Sequence, residues 1–120
     1  MFHIAKNGII TLHRGDTFTL PILINLGTPL EPNIFDLKEG DQVIFRLMRA
    51  NEKSEDATIE KVYTVDDLNE DGAINVIFTN DDTNWLDPDT YYYEVQLRYY
   101  SNDMENVNTF IPRTKFYIVE

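Results

Sequence analysis

The chain has 120 residues, 42% of them hydrophobic and 12% aromatic, enough apolar surface for one packed core and too little length for two. Its formal net charge of -11 opposes contact with nucleic-acid phosphates or an anionic leaflet, so neither nucleic acid nor membrane is an expected partner. The absence of cysteine removes disulfides, thiolate zinc sites and cysteine nucleophiles.

Taken in chain order, the apolar residues recur with period two, the spacing of half-buried strands. The start, MFHIAKNGIITLHRGD, has no apolar run of signal-peptide length, and no stretch reaches the ~18 apolar residues of a spanning helix. A soluble cytosolic product is therefore expected, with His3 in a mobile leader. Residues 9–13 form the first expected strand and 17–25 the second, separated by a turn at Gly15 and Asp16. After a loop with two prolines at 27–33, residues 42–49 alternate, with Val43, Phe45 and Leu47 on one side. Residues 58–65 and 73–79 follow, joined by the acidic stretch 67–72, which reads as a hairpin turn. Asn80 or Asp81 is expected to cap one helical turn that Pro88 prevents from continuing. Residues 91–100 and 107–119 complete the set, the last with a break at Pro112. Seven short strands with turn residues between them predict one all-β domain over 1–120, built as an antiparallel β-sandwich.

The strand at 91–100 carries five tyrosines, and its alternation divides them. Tyr91, Tyr93, Val95, Leu97 and Tyr99 share one face, apolar enough to be core; Tyr92, Glu94, Gln96, Arg98 and Tyr100 share the other. Tyr91 has the position of a tyrosine corner, whose hydroxyl bonds back to upstream backbone. Tyr92 and Tyr100 have two readings: β propensity on a solvent face, or rigid amphipathic area at an interface. If 42–49 neighbours this strand, Ile44, Arg46 and Met48 join Tyr92, Glu94, Arg98 and Tyr100 in one outward patch. That patch would be unusually apolar.

Three segments, HRGDTFTLPILI, KEGDQVIFRLM and TNDDTNWLDPDTYYYEVQL, in that order resemble the immunoglobulin-like N-terminal domain of baseplate upper proteins from phages of Gram-positive bacteria. Arg14, Gly15, Asp16 and Thr17 match its first turn, Val43, Phe45 and Leu47 its central strand, and Leu86, Pro88, Tyr91, Tyr93 and Val95 its late strand. The likeness spans about the whole chain. Asp89 stands where the pattern has glycine, and no receptor-binding region is expected after Glu120. The resemblance implies an immunoglobulin-like fold of about seven strands and a structural subunit of a phage or prophage particle, at the tail, baseplate or neck. Its partners would be other virion proteins or further copies of itself, its localisation the virion, and its place of synthesis the host cytoplasm.

Other motifs have simpler readings beside them. Arg14-Gly15-Asp16 spells an integrin tripeptide, but a tight turn calls for the same residues. Asp67, Asn69 and Asp71 have the spacing of the first ligands of a calcium loop, yet Phe78 stands where the bidentate glutamate belongs. A turn is the expected role, and calcium the alternative. No glycine-rich phosphate loop, nucleophile elbow or histidine pair at metal-ligand spacing occurs, so neither enzymatic activity nor a cofactor is expected. The alternative function is a carbohydrate-binding module or surface adhesion domain, in which Trp85 and exposed tyrosines stack on sugar rings. Against it, Trp85 is expected to plug one end of the sandwich.

Overall fold

A computed structural model of the chain describes residues 2–120. It is mostly β: β1 (Phe2–Ile4), β2 (Ile10–His13), β3 (Phe18–Ile22), β4 (Gln42–Arg49), β5 (Ile59–Tyr63), β6 (Ile74–Phe78), β7 (Asp89–Ser101) and β8 (Met104–Val119). One short helix, α1 (Asn80–Thr83), lies between β6 and β7. Every expected strand is present within a few residues of its predicted ends. The addition is β1, which pairs with β2 in the register His3 opposite Thr11, so His3 belongs to an ordered hairpin rather than a mobile leader.

The strands form a six-stranded sheet, in the order β1-β2-β8-β7-β4-β5, and a two-stranded sheet of β3 and β6. The expectation of antiparallel pairing throughout is corrected at one place: β2 runs parallel to β8, Ile10 facing Phe116. Because β2 and β8 are far apart in sequence, no local turn signal could reveal that pairing. The small sheet packs over one face of the large one through aromatic rings. Phe18 stacks on Phe78 at 4.7 Å, Phe78 meets Phe45 edge-on at 5.4 Å, and Phe45 stacks on Tyr93 at 5.7 Å. Each buried ring contributes roughly 2–3 kcal/mol of transfer free energy, and such pairs prefer these offset and tilted arrangements.

The connection from β5 to β6 is corrected in part. The acidic stretch does fold as a tight turn, with Leu68 bridged antiparallel to Ile74 and the Asn69 amide donating to the Ala73 carbonyl at 2.8 Å, but β5 and β6 lie in different sheets, so it carries the chain between layers rather than pairing them. A 3-10 turn at Val65–Asp67 starts the crossover, with the Asp67 carboxylate accepting from the Thr64 amide at 2.8 Å. The Asn69 side-chain oxygen accepts from the Asp71 and Ala73 amides, and Gly72 takes φ +76°. Local backbone thus engages the side-chain oxygens of two of the three positions, Asp67 and Asn69, that a calcium loop would offer a cation. Among the described residues no group of three or more His, Cys, Asp or Glu side chains is placed to hold a metal, and no helix is long and apolar enough to cross a membrane.

The helix cap is Thr79 rather than Asn80 or Asp81. Its side chain and the Asp82 carboxylate form a reciprocal capping box, with Asp82 accepting from the Thr79 amide at 2.8 Å. Burial acts to raise the Asp82 pKa, but the Thr79 amide and the Lys61 ammonium, 3.1 Å away, outweigh it and hold the carboxyl below its ordinary range.

Candidate functional site: the outer face and free edge of the large sheet

The expected neighbourhood of β4 and β7 is present. They pair antiparallel, with Arg46 opposite Glu94 and Met48 opposite Tyr92. The seven residues singled out, Ile44, Arg46, Met48, Tyr92, Glu94, Arg98 and Tyr100, are therefore brought together on two adjacent strands. Ile44 and Met48 among them are not displayed, however. Ile44 is 3% exposed, Met48 0% and Glu94 7%, which corrects the picture of a continuous apolar patch.

Long polar side chains lying flat across the sheet account for the burial. The Arg46 guanidinium donates to Glu60 at 2.8 Å and to Gln96 at 2.7 Å, spanning three strands. From β8, Arg113 reaches the Met48 sulfur at 3.1 Å and the Glu52 carbonyl at 3.0 Å. Such side chains cover apolar surface with their stems while their heads stay polar. Glu94 Oε1 is enclosed beneath this layer with no hydrogen-bond partner. Of the seven, Tyr100 alone is openly exposed, at 56%; Arg46, Tyr92 and Arg98 are half-buried. Arg98 lies 3.2 Å from Glu105 as an ion pair along the hairpin.

Exposed apolar side chains are found on the β7–β8 hairpin and beside it, as well as at Val62 on β5, at Ile77 and in the 30–34 loop. Met104 is 65% exposed and Val107 53%, while Ile4 and Leu23 line a cleft further along β8. The hairpin loop is Asn102 and Asp103, with φ of 53° and 58°, the positive pair that a two-residue turn matched to strand twist requires. From there β8 follows β7 residue for residue to Gln96 opposite Thr109, then shifts register twice before Thr114 faces Tyr93. These shifts are bulges, one at Phe110 and one at Pro112 and Arg113. On its other side β8 pairs with β2 through residues 116–119 alone, so its edge from Met104 to Lys115 is open among the described residues.

The cleft has a volume of about 450 Å³. Consecutive residues of β3, Leu20 to Ile22 with Leu23 after them, line one side, and Phe110, Ile111 and Pro112 line the other. Side chains of successive strand residues point to opposite faces, so neighbours can line a cavity together only where the strand turns its backbone edge toward it. The cleft therefore lies between the open edges of β3 and β8. Pro21 and Pro112 fit such edges because proline cannot donate to a ladder. The turn between β1 and β2, with Lys6 and Gly8, closes one end, tied down by the Tyr93 hydroxyl donating to the Gly8 carbonyl at 2.6 Å. No acidic residue lines this cleft.

Two residues before Tyr93 on β7, Tyr91 is the tyrosine corner its position suggested. It is fully buried, and its hydroxyl donates to the Asp87 carbonyl at 2.9 Å while the Arg49 guanidinium lies over its ring. Trp85 contradicts its expected role as a plug: it is 55% exposed, and the buried Leu86 fills the core beside it. The Arg14-Gly15-Asp16 turn is anchored on all sides, by Glu120 to Arg14 and by the Asn80 and Thr83 side chains donating to the Gly15 and Asp16 carbonyls.

Comparison with protein-family models, curated proteins and solved structures gave no match to this chain.

Proposed function

We propose that this chain is a non-enzymatic, immunoglobulin-like structural module of a phage or prophage particle, acting through protein–protein contacts at the tail, baseplate or neck. The fold reading is supported by the strand order. In the large sheet β8, β7 and β4 stand in the places of the G, F and C strands with β5 as an extension beyond C, while β3 and β6 stand for B and E. The tyrosine corner at the start of β7, the F position, agrees with it. The single observation that carries the contact reading is the open edge of β8 with its exposed hairpin, because unpaired strand edges that no element covers are natural docking sites. The virion assignment rests on the resemblance in sequence.

Particles purified from induced cultures of the bacterium that carries the gene should contain the chain in stoichiometric amount by mass spectrometry. Its absence from particles would remove the virion reading.

Trp85 supports a second reading. An indole 55% exposed, with Asn84 and Asp87 beside it in sequence, suits stacking on a sugar ring. Titrating an array of bacterial cell-wall glycans while following the fluorescence of this single indole tests it, and a signal that stays flat across the array would dismiss it.

A further inference from the structure

We propose that the cleft between β3 and β8 takes an extended segment of a partner protein, apolar at alternate positions and carrying a carboxylate at one end, which adds to β3 as a third strand of the small sheet. The inference rests on the contact reading above and deepens it, by naming the strand that docks the partner and the chemistry of the segment docked.

The backbone of β3 provides the first argument. The Ile77 amide points away from β3, to the Tyr63 hydroxyl at 3.4 Å, and Ile77 faces Thr19 in the register of the small sheet. Where one member of an antiparallel pair turns its amide away, the other does the same. Thr19, Pro21 and, just past the strand, Leu23 therefore direct their backbone groups to the cleft side, while Leu20 and Ile22 direct theirs to β6. Pro21 fits that alternation, because it lacks the amide that would otherwise stand unpaired at the edge. The two edges of the small sheet are thus unlike. Tyr63 engages the β6 edge, whereas the β3 edge offers the Thr19 amide and carbonyl, the Pro21 carbonyl and the Leu23 amide.

The facing wall decides which strand pairs. Where β8 borders the cleft, Pro112 has no amide and its carbonyl accepts from the Thr114 hydroxyl at 2.7 Å, so β8 supplies apolar side chains rather than a ladder. A segment of about five residues run antiparallel to β3, the more stable arrangement per residue, covers positions 19–23. Its residues opposite Leu20 and Ile22 point inward with them, into a cleft of about 450 Å³ that Ile4, Phe110 and Ile111 line. That volume lies in the range of ligand sites. The end wall is preformed, since the Tyr93 hydroxyl holds the Gly8 carbonyl at 2.6 Å.

Charge provides the last argument. Of the 21 acidic residues in the chain none lines the cleft, and Lys6 is the sole charged side chain there. It has no ion pair among the described residues. A surface of net charge -11 repels an anionic segment, so an acid-free cleft with one unpaired cation selects where such a segment settles.

The probe is an end-blocked peptide, Asp-Thr-Val-Thr-Val-Thr-Asp, which presents valines inward and an acid at either end; a second has leucine for valine. Calorimetric titration should give submillimolar binding by at least one of them, and amide hydrogen exchange should slow at Thr19 and Leu23. N-methylation of the central threonine, opposite Pro21, should weaken binding about 10-fold. Lys6→Glu, an exposed turn residue, should weaken it by a similar factor at low salt and less at high salt. The proposal is overturned if neither peptide binds up to millimolar concentration, if binding leaves those two amides unprotected, or if it ignores N-methylation. None of these results touches the virion reading, which the content of purified particles decides.

Discussion

Tyr91→Phe removes one oxygen and retains the ring that fills the corner. The lost hydrogen bond, 2.9 Å to the Asp87 carbonyl, contributes about 1–1.5 kcal/mol net. Asp87 is exposed, so water can satisfy its carbonyl in the variant and hold the cost within that range. The Arg49 contact over the ring persists with phenylalanine. For a chain of this length the midpoint of thermal unfolding should fall by roughly 4–6 °C, and the urea midpoint should fall with an unchanged slope, since the buried area hardly changes. Tyr91→Ala, which also empties the corner, should cost about 3–5 kcal/mol.

The pH dependence gives the same prediction a second arm. Burial raises the Tyr91 hydroxyl pKa above its ordinary value. Both folded and unfolded chains hold the proton below about pH 10, so the full contribution is present there. It is lost as pH rises through the folded pKa, because the unfolded chain releases its proton first. Tyr91→Phe should therefore unfold with a shallower alkaline limb than wild type. A Tyr91→Phe midpoint within about 1 °C of wild type, or an unaltered alkaline limb, would refute the account of the corner as a fixed crossing between sheets.

Asp82→Asn weakens the cap and the Lys61 pair together, and should cost about 1 kcal/mol at neutral pH. Since the folded pKa of Asp82 is lowered, that contribution is present above the unfolded carboxylate value near pH 4 and lost as pH falls through the folded one. The gap between wild type and variant should accordingly close in acid urea titrations. Glu94→Met replaces an enclosed carboxylate, one oxygen of which lacks a partner, and should leave stability unchanged or raise it by about 1 kcal/mol; a marked loss on chemical denaturation would mean that the carboxylate is satisfied in solution. Trp85→Ala should change stability by less than about 0.5 kcal/mol, and a larger thermal shift would restore the plug.

The period-two pattern in the sequence is sufficient to locate the strands, because which face of a strand is apolar is written in every second residue. Gln42–Arg49 was legible to the residue, and Tyr91 could be assigned its corner from its distance to Pro88 and the preceding helical turn. The alternation also placed Ile44 and Met48 on the face opposite the core. It could not reveal that Arg46 and Arg113 would lie across that face, since coverage by long side chains depends on which strands become neighbours. Sheet membership was likewise decided by tertiary structure. The turn residues at 67–72 specify a change of direction, but whether the chain returns beside β5 or crosses to β3 is settled by where apolar faces meet. The same holds for the parallel pairing of β2 with β8 and for the open edge this leaves. Pro21 and Pro112 were the only local marks of those edges, as residues a central strand excludes. Side-chain alternation is local and survives in the sequence; pairing partners, coverage and exposed edges arise from contacts between distant segments, and exist only once the chain is folded.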